Sequence, residues 1–174
     1  MDTPCPNCGG KVRKTQKGYA CLNFFRDGKD HCNLWIQGNI CGRTITDEEV
    51  EQLLERGYTE VLDGFESSGK PFSSCLVINK NGEAVLDGDI CKCPKCGGRV
   101  FAGIKAYNCS NFRNPQVKCD FVIWRNLSGR KMSVDDVRVL CANGYSPVLT
   151  FYTKDGKPYN KRLVLTQEGK VILS

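Results

Sequence analysis

The sequence lacks any long apolar run, and none of its 174 residues falls in a stretch apolar enough to span a membrane. Its first residues, Met1 to Cys5, contain no apolar core of a signal peptide, so we expect no secretory signal. Histidine occurs once, as His31. We also find no convincing pair of nucleophile and base, which argues against an enzyme.

Cysteine, in contrast, is abundant, with 12 residues in the chain. This number is compatible with a secreted scaffold held together by disulfides. Because no secretory signal is apparent, we favour zinc-bound thiolates in the reducing cytoplasm.

A short cysteine motif occurs twice. Cys5-Pro6-Asn7-Cys8-Gly9-Gly10 returns 88 positions later as Cys93-Pro94-Lys95-Cys96-Gly97-Gly98. A Cys-x-x-Cys followed by two glycines is typical of a zinc knuckle, in which a tight turn directs two thiolates to one side. Similar residues recur at an offset of 88 positions, and of 87 positions after the ligand loop, along the whole chain. This pattern indicates a duplication.

The duplication separates metal ligands from other cysteines. Cys41, Cys75 and Cys141 are matched by Ser128, Arg162 and Leu54, so they are expected to be core or surface thiols. Cys91 is equivalent to Thr3 of the first repeat, but it is close enough in sequence to Cys93 to compete with it for the metal ion. His31, which is equivalent to Lys118, could replace Cys32 as a ligand. The predicted ligands of two structural zinc ions are Cys5, Cys8, Cys21, Cys32, Cys93, Cys96, Cys109 and Cys119.

The remainder of each repeat predicts one helix and a few strands. Thr46 with Glu49 forms a capping box, Val50, Leu53 and Leu54 form one apolar stripe, and Gly57 can end the helix. We therefore expect an α+β fold of two tandem small domains, residues 1–88 and 91–174. Each would be a four-cysteine zinc ribbon hairpin followed by one helix and a small antiparallel sheet.

Both units resemble the C-terminal repeat of bacterial type IA DNA topoisomerases, best known in topoisomerase III-like enzymes. The resemblance rests on the knuckle, on Cys119-Asp120-Phe121-Val122-Ile123-Trp124, and on the motif Gly156-Lys157-Pro158-Tyr159. It implies a zinc-ribbon module that grips single-stranded DNA, as part of a larger enzyme or as a free-standing repeat protein. It does not imply catalysis, because the catalytic core of that family would need several hundred further residues.

The charge is divided unequally between the repeats. Residues 1–90 carry 10 basic and 14 acidic side chains, a net charge of −4, whereas residues 91–174 carry 15 and 5, a net charge of +10. The second repeat is therefore expected to bind a polyanion, and DNA binding by the first is doubtful. Solvated lysines that only maintain solubility are the alternative.

Single strands are held by cations and by aromatic rings that stack on bases. The predicted DNA-contacting residues are Arg99, Lys105, Tyr107, Phe112, Arg113, Trp124, Arg125, Arg130, Lys131 and Trp35. On the strand that ends at Trp124, Phe121 and Ile123 should face the core and Val122 and Trp124 the other side. In the alternative interpretation, each tryptophan covers a zinc hairpin.

The expected partner is single-stranded DNA, bound by a monomer in the cytoplasm at the nucleoid, with a topoisomerase core or another DNA-processing protein as a further partner. The competing hypothesis is a protein-docking zinc ribbon that recruits a polymerase or relaxase.

Overall fold

The chain folds into two compact units, Met1–Asp87 and Gly88–Ser174. The computed structural model describes residues 1–174, apart from the side chain of Asp30. Residues 89 and 90, which lie outside both expected repeats, belong to the first strand of the second unit. No helix among the described residues is long and apolar enough to cross a membrane.

The first unit contains one helix and short antiparallel strands. Strands β1 to β3 form one sheet, β4 pairs with β5, and β6, β7 and β8 form a third sheet in that order. The elements are β1 Val12–Lys14, β2 Gly18–Cys21, β3 Trp35–Gln37, β4 Asn39–Ile40, β5 Arg43–Thr44, α1 Asp47–Arg56, β6 Leu62–Ser67, β7 Lys70–Ile78 and β8 Ala84–Asp87.

The second unit repeats this order and adds one strand at its start. Its elements are β9 Asp89–Lys92, β10 Arg99–Ala102, β11 Ala106–Cys109, β12 Val122–Trp124, β13 Asn126–Leu127, β14 Arg130–Lys131, α2 Val134–Asn143, β15 Leu149–Tyr152, β16 Pro158–Lys161, β17 Leu163–Leu165 and β18 Val171–Leu173. The added strand β9 pairs with β10, so the cysteine hairpin of this unit lies in a sheet of order β12-β11-β10-β9. The single strand β7 of the first unit is represented here by β16 and β17.

Helix α1 begins and ends as the sequence predicts, and α2 has the same caps at the equivalent positions. In α1, the Thr46 side chain accepts from the Glu49 N–H while the Glu49 side chain accepts from the Thr46 N–H, and in α2 Ser133 and Asp136 do the same. Each helix ends at a glycine with a left-handed backbone, Gly57 at φ 79° and Gly144 at φ 80°. These caps satisfy backbone groups that have no partner within the helix.

Each unit has its own apolar core between helix and strands. In the first unit the expected helical stripe of Val50, Leu53 and Leu54 is buried. In the second, Phe121 and Ile123 are buried while Trp124 is exposed, which confirms the alternation expected along β12. The mixed fold of two repeats with small antiparallel sheets is thereby confirmed in outline.

Candidate metal centres and nucleic-acid interface

Four cysteine sulfurs converge at one end of each unit. The structure brings together Cys5, Cys8, Cys21 and Cys32 in the first group and Cys93, Cys96, Cys109 and Cys119 in the second, with all sulfurs of a group within 4.8 Å of one another. Neither His31 nor Cys91 belongs to a group among the described residues. The structure thus assembles the eight cysteines that the duplication singled out.

The spacing of the sulfurs fits a tetrahedral metal ion. Four sulfurs held about 2.3 Å from a tetrahedral zinc ion lie about 3.8 Å apart. Cys8 and Cys21 are separated by 3.4 Å, as are Cys96 and Cys109. The sulfurs of Cys5 and Cys32 lie 3.6 Å apart and those of Cys93 and Cys119 3.8 Å apart. Each group could therefore hold one metal ion, in line with two zinc sites per chain.

The knuckle turn explains why the first two ligands need the glycines that follow them. In the first unit, the Cys5 N–H donates to the Gly10 carbonyl and the Gly9 N–H to the Cys5 carbonyl, both at 2.8 Å. Gly9 has φ +71°, which favours glycine. A Cβ on Gly10 would lie 3.0 Å from the Cys21 sulfur, so a side chain there would crowd the ligands.

Two asparagines support the sulfurs and were missed by the sequence analysis. Asn23 Nδ2 donates to the Cys8 sulfur, and Asn111 Nδ2 to the Cys96 sulfur, each at 3.4 Å. Such outer hydrogen bonds orient metal ligands. The signal was present in the duplication, since each asparagine follows its third cysteine by two positions.

The thiols within each cysteine group differ in pKa. A hydrogen bond from the Gly10 backbone lowers the pKa of Cys8 to about 6. Burial acts to raise the pKa of Cys96, but hydrogen bonds from Asn111 and Gly98 lower it to about 6. Burial raises the pKa of Cys32 and of Cys119 to about 12. The buried thiols therefore need the positive charge of a metal to remain ionised at neutral pH.

A group closed by four thiolates has no position for water or substrate. The metal ion would therefore hold the hairpin together rather than take part in a reaction. In these short hairpins it would supply folding free energy that the small apolar core cannot.

The predicted DNA-contacting residues fall into two sets. Trp124 and Phe112 are exposed to 53% and 62%, and the side chains of Lys105, Arg113 and Lys131 are exposed without an ion pair among the described residues. Arg99 is exposed but its Nε donates to Asp89 at 2.8 Å, and Arg130 is paired with Asp136 at 2.9 Å at the start of α2.

Two predicted contacts need correction. Tyr107 is only 1% exposed, and its hydroxyl donates to the Met132 carbonyl at 3.0 Å, so no ring face is open to a base. Arg125 is 6% exposed, and its Nη1 donates to the carbonyls of Gly103 and Ile104. Both lie on the core face of the sheet, where they stabilise the second unit instead of meeting DNA.

Trp35 in the first unit has a different environment from Trp124. Its ring packs against Phe24 with centroids 5.6 Å apart, and the backbone N–H of Trp35 donates to the Gly82 carbonyl at 2.9 Å. The position equivalent to Trp124 is occupied by Gln37. The first unit thus presents no matching exposed ring on this strand.

The outer face of the second cysteine hairpin carries a residue that the sequence analysis missed. Phe101, Asn108 and Val122 are directly opposite one another on β10, β11 and β12. Phe101 is 41% exposed and shares this face with Trp124. The alternation of Arg99 to Ala102, with Val100 buried, could have indicated that Phe101 faces outward.

The fold and site define a class of tandem repeat protein in which each small α+β unit carries one four-cysteine group. The chain belongs to the family described as the C-terminal repeat of topoisomerase, whose profile matches residues 31–87 and again residues 118–174. The two matches are offset by 87 positions, as the duplication predicts. The expected resemblance is thereby confirmed.

One curated relative is a bacterial DNA topoisomerase. DNA topoisomerase 1 of Bacillus anthracis is 29% identical over 146 residues, which cover 80% of this chain and 16% of that relative. The chain thus spans less than a fifth of the length of this relative. No solved structure matches the chain.

Proposed function

We propose that the chain is a non-catalytic, zinc-dependent module of a topoisomerase C-terminal region, and that its second unit grips single-stranded DNA. The main observation behind the proposal is that Trp124 and Phe101 are exposed on the outer face of β10 to β12. Lys105, in the turn before β11, and Lys131, in β14, are also exposed and have no ion pair among the described residues. We call this set, Phe101, Lys105, Trp124 and Lys131, the stacking face.

The stacking face has the two features that single strands require. Every nucleobase has a planar face that can stack on an aromatic ring, and every phosphate carries a negative charge. Trp124 supplies a ring on the edge strand β12, where it is directly opposite the small residue Ala106. A groove of about 250 Å³ runs beside it and is lined in part by Val122 and Lys170.

The difference between the two units supports a division of labour. The first unit is net negative, has Gln37 in place of Trp124, and covers its Trp35 with Phe24. We infer that the first unit contributes little to DNA affinity. Its negative charge instead favours a basic protein surface, such as that of a topoisomerase core, as a second partner.

We also propose that each unit is a zinc ribbon. In both units the knuckle precedes the hairpin, the third cysteine ends the second hairpin strand, and the fourth cysteine comes just before the third strand. The metal ion would therefore fix the position of β12 relative to β11. Loss of the metal would therefore move Trp124 as well as the ligands. We place the protein in the cytoplasm at the nucleoid, as a monomer.

The test is titration of a labelled single-stranded oligonucleotide with the zinc-loaded chain at several salt concentrations, followed by fluorescence anisotropy. We expect binding whose affinity falls steeply with salt, because each phosphate contact releases counterions. Absence of binding at low salt, together with binding to a topoisomerase core, would favour the docking function instead.

A further inference from the structure

The second unit contains two cysteines that lie outside its metal group and line the same surface cavity. Cys91 is in β9 and Cys141 is in α2. The helix is fixed against the strand because Arg138 Nε donates to the Ile90 carbonyl at 3.1 Å. All twelve cysteines are free thiols in the structure.

The duplication supplies an internal control for this pair. The equivalents of Cys91 and Cys141 in the first unit are Thr3 and Leu54, and the first four residues there form no strand. The repeat fold and its metal group therefore require neither cysteine. The second unit differs from the first at both positions, and it has cysteine at both.

Both thiols can be reached from solvent. They line a surface cavity of about 520 Å³ together with Lys92, Gly97 and Arg138. Both residues are partly exposed, whereas Cys93 beside them is buried. A small oxidant can enter this cavity without opening the core of the unit.

We propose that Cys91 and Cys141 form a redox-reactive dithiol, which a hydroperoxide converts into an intramolecular disulfide beside the second metal group. One thiol takes an oxygen atom from the hydroperoxide and becomes a sulfenic acid, while the hydroperoxide is reduced to the alcohol, or to water in the case of hydrogen peroxide. The second thiol then attacks the sulfenic sulfur, and the S–S bond forms as water leaves. Two thiols thus give up two electrons, and a thiol reductant reverses the change.

The consequence of the disulfide is a covalent tie between β9 and α2. Because β9 leads directly into the knuckle at Cys93, the tie would restrain the start of the metal group. This inference does not depend on DNA binding, and its test uses no DNA.

The experiment treats the zinc-loaded full chain with increasing hydrogen peroxide and follows free thiols, bound zinc and disulfide-linked peptides. We expect the first two thiols lost to be Cys91 and Cys141, found as one linked peptide, with both zinc ions retained and with full recovery after reduction. Cys141→Leu, which introduces the residue of the first unit, should abolish the linked peptide and leave a sulfenic acid on Cys91 that a dimedone probe traps.

Two further variants keep the test decisive. Cys91→Thr, again the residue of the first unit, should also prevent the two-thiol loss, and it covers the case in which Cys141→Leu fails to fold. Cys41→Ser removes an exposed cysteine elsewhere and should leave the Cys91–Cys141 peptide unchanged. The proposal is overturned if zinc ligands are oxidised first with release of metal, or if Cys91 is linked to Cys93 instead.

Discussion

The guanidinium of Arg125 is joined to the backbone of Ile104 inside the second unit, with Nη1 donating to the carbonyl at 2.9 Å. The same nitrogen reaches the Gly103 carbonyl, and the Arg125 N–H donates to the Lys105 carbonyl. One side chain and its backbone thus hold the whole turn between β10 and β11. This turn contains Lys105, which belongs to the stacking face.

Arg125→Met should therefore lower the stability of the second unit rather than alter its electrostatic contacts with DNA. A hydrogen bond from a charged group contributes about 1.5–3 kcal/mol, so the free energy of unfolding should fall by up to about that amount. Lys131→Met is the matched control, because it also removes one cation but from an exposed position. Urea denaturation and salt-dependent binding, measured on both variants, distinguish the roles.

The opposite pattern would contradict this assignment. If Arg125→Met melts normally and reduces the salt dependence of binding by about 0.7, as expected for one lost phosphate contact on a single strand, then Arg125 meets DNA. We expect that reduction for Lys131→Met instead.

The metal groups and the helices could be predicted from the sequence because both depend on local patterns that occur twice. Comparison of the two copies was enough to set aside Cys41 and Cys75, and capping residues determined where α1 and α2 begin. Family membership followed from the same ordered motifs. These features need no knowledge of which residues meet across the fold.

The burial of Arg125 and Tyr107 could not be predicted from charge and aromaticity alone. Alternation places Arg125 on the same face as Phe121 and Ile123, which is the core face, but an arginine there is tolerated only if carbonyls are available to it. Those carbonyls belong to a turn 21 and 22 positions earlier in the chain. Only the folded arrangement shows that the turn closes over the strand.

Metal content is the most direct check on the two cysteine groups. We expect about two zinc ions per chain, and we expect Cys109→Ser to retain only one, because three sulfurs no longer close the second site. Structural zinc supplies much of the folding free energy of such hairpins, so Cys109→Ser should unfold mainly the second hairpin. Cys75→Ser, which changes a buried cysteine outside both groups, should keep both ions.

The zinc content is measured by metal analysis of the purified protein. Amide hydrogen exchange then shows which hairpin has unfolded. A ratio near one zinc ion in the native chain would contradict the two-site assignment. So would a Cys109→Ser chain that still binds two.

The charge asymmetry can be tested at one pair of equivalent positions. Lys105 in the second unit and Lys17 in the first occupy the same place before the second hairpin strand, and both side chains are exposed. Lys105→Glu should weaken oligonucleotide binding and reduce its salt dependence, whereas Lys17→Glu should change neither appreciably. Since the two substitutions alter the net charge equally, equal losses of affinity would show that total charge, and not the stacking face, determines binding.

Trp124 is the side chain on which the proposed function depends most. Stacking of a base on an aromatic ring contributes about 1–3 kcal/mol, so Trp124→Ala should weaken single-strand binding by about 5- to 150-fold. Preference among bases should change little, because every base has a face to stack. Gln37→Ala, at the equivalent position of the first unit, is the matched control and should leave affinity unchanged.

The alternative role of Trp124 as a cover for the zinc hairpin makes a different prediction from the same variant. A ring that is 53% exposed contributes little to the core, so we expect the melting temperature and the zinc content of Trp124→Ala to stay near those of the parent chain. A covering ring would instead lose stability and affinity together. Melting temperature, zinc content and oligonucleotide affinity are therefore measured on one sample of each variant, and unchanged binding by a folded, zinc-loaded Trp124→Ala chain would remove this residue from the DNA interface.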